Sequence, residues 1–137
     1  MRMTLSRGAR LGVGLLALAG AESVLAASAG SWVGAAPPLS VASADRHVCS
    51  QPLLPPPLAA GGRLAGVRWR FQPPLGARLQ ARLCHPQRCI DLPAAQGASS
   101  ALSGLDAGQP LQLCFRLLPG EQPVRVGALQ LLVDYRP

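Results

Sequence analysis

The residues of this chain best suited to chemistry are its four cysteines: Cys49, Cys84, Cys89 and Cys114. Cys84 and Cys89 are separated by four residues and could ligate a metal, exchange thiols or form a disulfide. A zinc site would add Cys49 and either His47 or His85, but the sequence lacks the second half of a paired zinc motif. A redox pair would normally read C-x-x-C at the start of a helix, where the helix dipole lowers the thiol pKa. The spacing therefore favours a structural disulfide, with no metal and no cofactor.

The N-terminus has the features of a secretory signal peptide. Its basic start comes from three arginines: Arg2, Arg7 and Arg10. The apolar run 11–21 is shorter than the roughly 20 residues that span a bilayer. An Ala-Ser-Ala motif ends at Ala29, so we predict a cleaved leader over 1–29 and one domain over 30–137, with cleavage after Ala26 as the alternative. Export places the cysteines in the periplasm, an oxidising compartment where disulfides persist.

The exported part of the chain is basic. The leader holds three of the 13 basic residues and one of the 6 acidic residues, so residues 30–137 keep ten arginines against five carboxylates. The arginines form no run and no helical stripe, and exported proteins rarely meet nucleic acid, so we expect no nucleic-acid partner. An acidic protein surface or an anionic envelope polymer is a better match.

Motifs for catalysis are missing from the sequence. It contains no G-x-S-x-G elbow, no H-E-x-x-H and no glycine-rich phosphate loop. Its carboxylates are scattered rather than paired. We therefore predict that the protein is not an enzyme and has no catalytic residues.

Alternating apolar and polar residues predict strands rather than helices after the leader, because proline and glycine recur too often for long helices. The predicted strands cover 30–35, 39–42, 63–71, 77–84, 89–92, 110–118 and 124–136, the last being long enough for one bent strand or two. Gly127 suggests a bulge in the last of these, and 93–110 reads as a loop with at most one short strand. The fold class expected is all-β, a small single-domain antiparallel β-sandwich.

The segment around Cys84 and Cys89 predicts a hairpin. Proline favours the second position of a β-turn, which places Pro86-Gln87 at the centre. The pairing that follows is Cys84 with Cys89, Leu83 with Ile90, Arg82 with Asp91 and Ala81 with Leu92. Non-hydrogen-bonded pairs have Cα atoms roughly 4.5 Å apart, within reach of a disulfide. We therefore expect a hairpin stapled by a Cys84–Cys89 disulfide.

Two cysteines then remain, and in an oxidising compartment we predict that Cys49 and Cys114 form a second disulfide. An intermolecular bond, or a free thiol at each position, is the alternative. His47 and His85 are expected to be exposed loop and turn residues.

Arginines suggest a binding surface. Arg68 and Arg70 share one side of their predicted strand, and Arg78 and Arg82 share one side of the next. If these strands are neighbours, the four guanidinium groups form one basic patch that contacts a partner. The alternative is an ordinary solvated face.

Several short motifs together resemble one family, the flagellar FlhE proteins. They are Gly30-Ser31-Trp32, Val67-Arg68-Trp69-Arg70-Phe71, Arg82-Leu83-Cys84, Arg88-Cys89, Asp91-Leu92, Pro110-Leu111, Pro119-Gly120 and Val133-Asp134-Tyr135-Arg136. They occur in family order and span nearly all of 30–137. The sequence departs from the family in the additional Cys49 and Cys114, and in Phe71 where tyrosine is common.

The resemblance implies a periplasmic β-sandwich that assists the flagellar type III export system. Such a protein supports flagellar assembly and swarming, limits proton leak through the export channel and has a chaperone or plug role. It implies protein partners in the basal body or export apparatus and no enzymatic activity. The other hypothesis is a generic periplasmic β-sandwich, such as a pilus-type chaperone or a carbohydrate-binding domain.

Overall fold

A computed structural model describes residues 28–137 together with Gly12 and Gly14. The predicted signal peptide, 1–29, therefore lies almost wholly outside the described residues. The described elements are β1 (Gly30–Ala36), β2 (Leu39–Val41), β3 (Val48–Cys49), a 3-10 turn (Pro57–Ala59), β4 (Arg63–Gln72), β5 (Leu79–His85), β6 (Arg88–Leu92), β7 (Gln96–Ser99), β8 (Gln112–Leu117) and β9 (Val124–Arg136). Among these residues no helix is both long enough and apolar enough to cross a membrane.

The strands form two antiparallel sheets, which confirms the predicted fold class. The first sheet has the order β1-β9-β4-β7, with β2 also paired to β9. The second has the order β3-β8-β5-β6. One apolar core lies between the sheets and takes residues from both. Phe71 on β4 meets Phe115 on β8 edge to face, with ring centres 4.9 Å apart, so the two sheets are in direct contact.

Period-2 alternation decides which side chains enter this core. Along β4 the apolar residues Val67, Trp69 and Phe71 are buried, while Arg68 and Arg70 between them are exposed. Successive side chains of a strand point to opposite faces, so the pattern fixes the inner and outer surfaces of the first sheet. The parity predicted from the sequence is the one observed.

The β5–β6 hairpin has the predicted register. All four predicted pairs are present, and His85 pairs with Arg88 at the turn. A disulfide joins Cys84 to Cys89, whose Cα atoms are 4.0 Å apart. The staple at the tip of the hairpin is therefore part of the fold.

The prediction that His85 is exposed is wrong. Its side chain is 3% exposed. Its Nε2 donates to the carbonyl oxygen of Asp106 at 2.9 Å, and its Nδ1 accepts from the backbone N–H of Gln87 at 3.1 Å. The imidazole thus connects the hairpin turn to the loop before β8, and both of its ring nitrogens have hydrogen-bond partners.

The pairing of β4 with β9 has two register shifts, one between Leu64 and Gly66 and one near the middle of β9. The β4–β9 register shifts between Arg70 and Gln72, opposite the Gly127 region where a bulge was predicted. Ala128, rather than the glycine, takes the left-handed backbone conformation, with φ of 51°. The bulge lies between the part of β9 that pairs with β1, residues 129–135, and the part that pairs with β2, residues 124–126.

The indole of Trp69 fills the space beside β7. A Cβ atom added at Gly97 would lie 2.5 Å from Cζ2 of Trp69, so only glycine fits at this position. The indole Nε1 donates to the carbonyl oxygen of Ala94 at 2.9 Å, which satisfies its one polar group. Strand β7 therefore packs on β4 through a tryptophan that leaves no room for a side chain.

Candidate functional site

The four arginines predicted to form one patch are not neighbours. Arg68 and Arg70 are on β4 in the first sheet, whereas Arg82 is on β5 in the second sheet and Arg78 immediately precedes that strand. The chain crosses from one sheet to the other between β4 and β5. The first pair and the second pair therefore lie on opposite outer faces of the sandwich, and the single four-arginine patch is a wrong prediction.

On the second sheet, arginines are bound to partners within the protein. Arg82 Nε is 3.2 Å from Asp91 Oδ1. Arg116 donates from Nε to the side-chain oxygen of Gln80. Arg88 donates from Nη1 to the carbonyl oxygen of Ala101 at 2.8 Å. These guanidinium groups are therefore partly committed to intramolecular contacts.

The outer face of the first sheet carries more arginine. Its strands β4 and β9 contribute five, which we call the arginine face: Arg63, Arg68, Arg70, Arg125 and Arg136. Each is exposed. Asp134 is the one carboxylate on the described strands of this sheet, and it accepts a hydrogen bond from Ser31 Oγ at 2.5 Å. The face is therefore strongly positive.

Sequence reasoning found Arg68 and Arg70 but missed Arg63, Arg125 and Arg136. The alternation of β9 carries a signal for Arg136, because Tyr135 beside it is buried in the core. Arg63 lies directly opposite Arg136 in the β4–β9 register. The local sequence pattern does not show which distant strands pair. The pairing of β4 with β9 brings arginines that are far apart in sequence onto the same face of the sheet.

A cleft lies around Arg68 on the arginine face. It has a volume of about 460 Å³, and we call it the Arg68 cleft; its exposed-face lining includes Val33, Arg68, Arg70, Gln96, Ala98 and Leu132. The side chain of Val33 is 66% exposed, although it is large and apolar. Cross-strand pairing aligns Val33, Leu132, Arg68 and Ala98 in one row across all four neighbouring strands. The cleft thus combines apolar contact area with positive charge.

The two guanidinium groups of the cleft differ in their contacts. Arg70 donates from Nη2 to Gln130 Oε1 at 2.8 Å. Arg68 makes no side-chain hydrogen bond and no ion pair with any residue in the part of the chain that the structure describes. A guanidinium presents a planar fork of donors that matches a carboxylate. Arg68 is therefore the group best placed to receive an acidic side chain.

The second sheet carries a disulfide between its edge strand and its neighbour. Cys49 on β3 and Cys114 on β8 are cross-strand partners and are bonded to each other. Both cysteine pairs of the described chain are therefore disulfides, and none of its cysteines is free. No group of three potential metal ligands occurs within residues 28–137.

His47 lies beside this second disulfide and has an unusual environment. Burial is the main cause that lowers its pKa below the ordinary 6.5, and the charges of Arg82 and Arg116 lower it further, while Asp91 opposes them. Its Nε2 is buried without a hydrogen-bond partner among the described residues. The neutral form of His47 is thus favoured in the folded protein.

Asp106 is the other residue with a displaced titration. The backbone N–H of Gly108 donates to its carboxylate, and this is the main cause that lowers the pKa of Asp106 below 3.8. Hydrogen bonds to the charged form of a carboxyl stabilise that form. The carbonyl oxygen of Asp106 also accepts the hydrogen bond from His85. Asp106 therefore holds the loop before β8 in place.

Comparison with known proteins points to one family. A family model described as "Flagellar protein FlhE" matches residues 39–136. The flagellar protein FlhE of Escherichia coli (strain K12) is 31% identical over 121 residues, covering 82% of this chain and 90% of that protein. The flagellar protein FlhE of Yersinia enterocolitica is 32% identical over 137 residues, covering 93% and 95% of the two chains. A crystal structure of FlhE superposes with a TM-score of 0.70 at 25% identity, covering 80% of this chain and 99% of that chain.

Proposed function

Because this chain belongs to the FlhE family of flagellar proteins, we propose that it is a non-enzymatic periplasmic accessory protein of the flagellar type III export system. It supports flagellar assembly and swarming and limits proton leak through the export channel, in a chaperone or plug role. The observation that carries this proposal is the extent of the match, since the similarity to the solved FlhE structure spans 99% of that chain.

Two features support a periplasmic location. Residues 1–29 have the basic, apolar and small-residue order of a secretory leader. Both cysteine pairs of the described chain are oxidised, and disulfides are typical of exported proteins. A cytoplasmic protein would keep these thiols reduced. Its partners are then protein components of the basal body or export apparatus that reach the periplasm.

The family match favours this role over a pilus-type chaperone or a carbohydrate-binding domain. A pilus-type chaperone pairs a long edge strand with its client. The edge strands of the first sheet are β1, with seven residues, and β7, with four, and those of the second sheet are β3, with two, and β6, with five. Edge length therefore does not distinguish the two roles, and the family match decides between them. Carbohydrate binding usually needs exposed aromatic rings, whereas Trp69, Phe71, Phe115 and Tyr135 are buried here.

An in-frame deletion of the coding sequence tests the proposal. We expect reduced swarming and a fall in cytoplasmic pH in mildly acidic medium, measured with a pH-sensitive fluorescent protein. The full chain should restore both, and a version without residues 1–29 should restore neither, because it stays in the cytoplasm.

A second strain tests whether the protons enter through the export channel. If protons leak through the export channel, deletion of the export gate together with this protein should return the cytoplasmic pH to normal. A pH fall that persists without the gate would contradict the leak proposal. Normal swarming and normal cytoplasmic pH in the single deletion would contradict the accessory role altogether.

A further inference from the structure

We propose that the arginine face is the docking surface for an acidic segment of a protein partner, with the Arg68 cleft at its centre. The inference rests on the proposed function in one respect, which is that the partner is a protein in the periplasm. The surface itself follows from charge, contacts and exposure. Three observations on the two outer faces of the sandwich support it.

The first observation is the unequal distribution of charge. The strands of the first sheet carry five arginines and one aspartate, whereas those of the second carry three arginines and one aspartate. On the second sheet, Arg82, Arg88 and Arg116 have protein partners. Like charges such as Arg63 and Arg136, placed directly opposite on neighbouring strands, destabilise a sheet. An acidic partner would relieve that repulsion and match the sign of the surface.

The second observation is the state of the guanidinium at the centre. Arg68 has no side-chain partner among residues 28–137, while Arg70 beside it is oriented by Gln130. Asp134, the one carboxylate on the described strands of this sheet, accepts a hydrogen bond from Ser31. A carboxylate supplied from outside could therefore form a bidentate pair with Arg68 without displacing an existing contact.

The third observation distinguishes a protein from a phosphate-rich surface. Val33 is 66% exposed and lies in the same cross-strand row as Leu132 and Arg68. Protein interfaces combine arginine with apolar contact area, and a few such residues carry most of the binding energy. A lipid headgroup or a polyanion would use the arginines and leave Val33 in water. The mixed character of the Arg68 cleft therefore favours a segment that carries both carboxylate and apolar side chains.

A short fluorescent peptide that alternates glutamate with valine is the probe, and the same peptide with glutamine for glutamate is the neutral control. Binding is measured by fluorescence anisotropy at an ionic strength of about 0.15 M, where exposed charges farther than about 8 Å from the peptide are largely screened. The variant Arg68→Glu, Arg70→Glu removes the centre of the face. Its matched control is Arg46→Glu, Arg78→Glu, which makes the same change in net charge at exposed positions away from the first sheet.

We expect the face variant to bind the acidic peptide roughly tenfold or more weakly, since charge reversal replaces attraction by repulsion at the contact. The control variant should stay within about twofold of the unmodified protein, because distant exposed charges are screened. Val33→Ser should weaken binding of the acidic peptide and leave binding to phosphatidylglycerol vesicles unchanged. All variants must keep both disulfides and an unchanged thermal midpoint.

Three results would overturn the proposal. Equal weakening in the face variant and the control would mean that net charge alone is sensed. Equal binding of the glutamine peptide would remove the role of carboxylates. Binding to phosphatidylglycerol vesicles as strong as binding to the peptide would assign the face to a membrane surface or to anions in general.

Complementation separates this inference from the proposed function. In the deletion strain, the control variant should restore swarming and the face variant should not. If the deletion has no phenotype, the accessory role is contradicted, while the peptide measurement still tests whether the arginine face binds an acidic segment. If both variants restore swarming and bind the peptide equally well, the proposal that the arginine face is a docking surface is wrong, and the accessory role is unaffected.

Discussion

Cys49 and Cys114 face each other across β3 and β8, with their Cα atoms 4.0 Å apart and a disulfide between them. Strand β3 has only two residues, but the pairing with the second sheet continues through backbone hydrogen bonds from Ser50 to Leu113 and between Leu53 and Leu111. The disulfide adds a covalent link between the segment that joins β2 to β4 and the sandwich.

Removal of this disulfide should lower stability substantially. The two cysteines are 65 residues apart in sequence, and the chain-entropy model assigns about 4 kcal/mol to a loop of that length. The hairpin disulfide Cys84–Cys89, with a separation of 5 residues, should contribute only about 2 kcal/mol in the same model. Urea unfolding of the two double serine variants measures both effects. An unchanged midpoint for Cys49→Ser, Cys114→Ser would contradict the prediction.

Gly97→Ala should destabilise the protein because the new methyl group would overlap the indole of Trp69, at 2.5 Å from Cζ2. Overpacking of this kind costs about 1–3 kcal/mol. Gly66→Ala is the matched control on the neighbouring strand, since its nearest atom, Ser99 O, is 3.8 Å away. Urea midpoints of the two variants give the comparison. Equal midpoints would show that the tryptophan can move aside.

The pH dependence of stability should contain a contribution from His47. Its folded pKa is lowered below 6.5, chiefly by burial, so the unfolded chain takes up the proton more readily. Stability from this residue is complete above 6.5, declines as the pH falls through that value, and levels off below the folded pKa. In His47→Gln this part of the decline should disappear. Urea midpoints between about pH 8 and about pH 5 test it, and parallel curves for the two proteins would refute it.

The leader should be removed after Ala29. Purified periplasmic protein is then expected to begin at Gly30, the first residue of β1, and intact-mass measurement reads this directly. A mass that corresponds to cleavage after Ala26 would move the site by three residues and keep the export prediction. Retention of residues 1–26 would contradict export by a cleaved leader.

Local pattern predicted much of the fold because each signal depends on neighbouring residues. The β5–β6 register followed from one proline turn and from the match of Arg82 with Asp91. The parity of Arg68 and Arg70 followed from the buried residues between and beside them. Both are properties of a single strand or a single hairpin, which the sequence encodes within a dozen residues or so.

These local signals could not predict which strands are neighbours in a sheet when the strands are not joined by a hairpin. Strands β4 and β5 are consecutive in sequence but belong to different sheets, so Arg70 and Arg82 are on opposite faces. Likewise His85 is buried because a loop some twenty residues later supplies Asp106 to cover it. Alternation tells which side of a strand is apolar, whereas the neighbour of that strand is decided by packing of the whole core.

The first and last strands, β1 and β9, are neighbours over seven consecutive residues, and β9 is also the strand on which β2 and β4 pair. A polypeptide that crosses a membrane with its N-terminus leading delivers β1, β2 and β4 well before β9. Until β9 arrives, these three strands lack their common partner and the first sheet cannot assemble. If the chain is exported as proposed, this topology delays completion of the first sheet until the last strand has emerged on the far side.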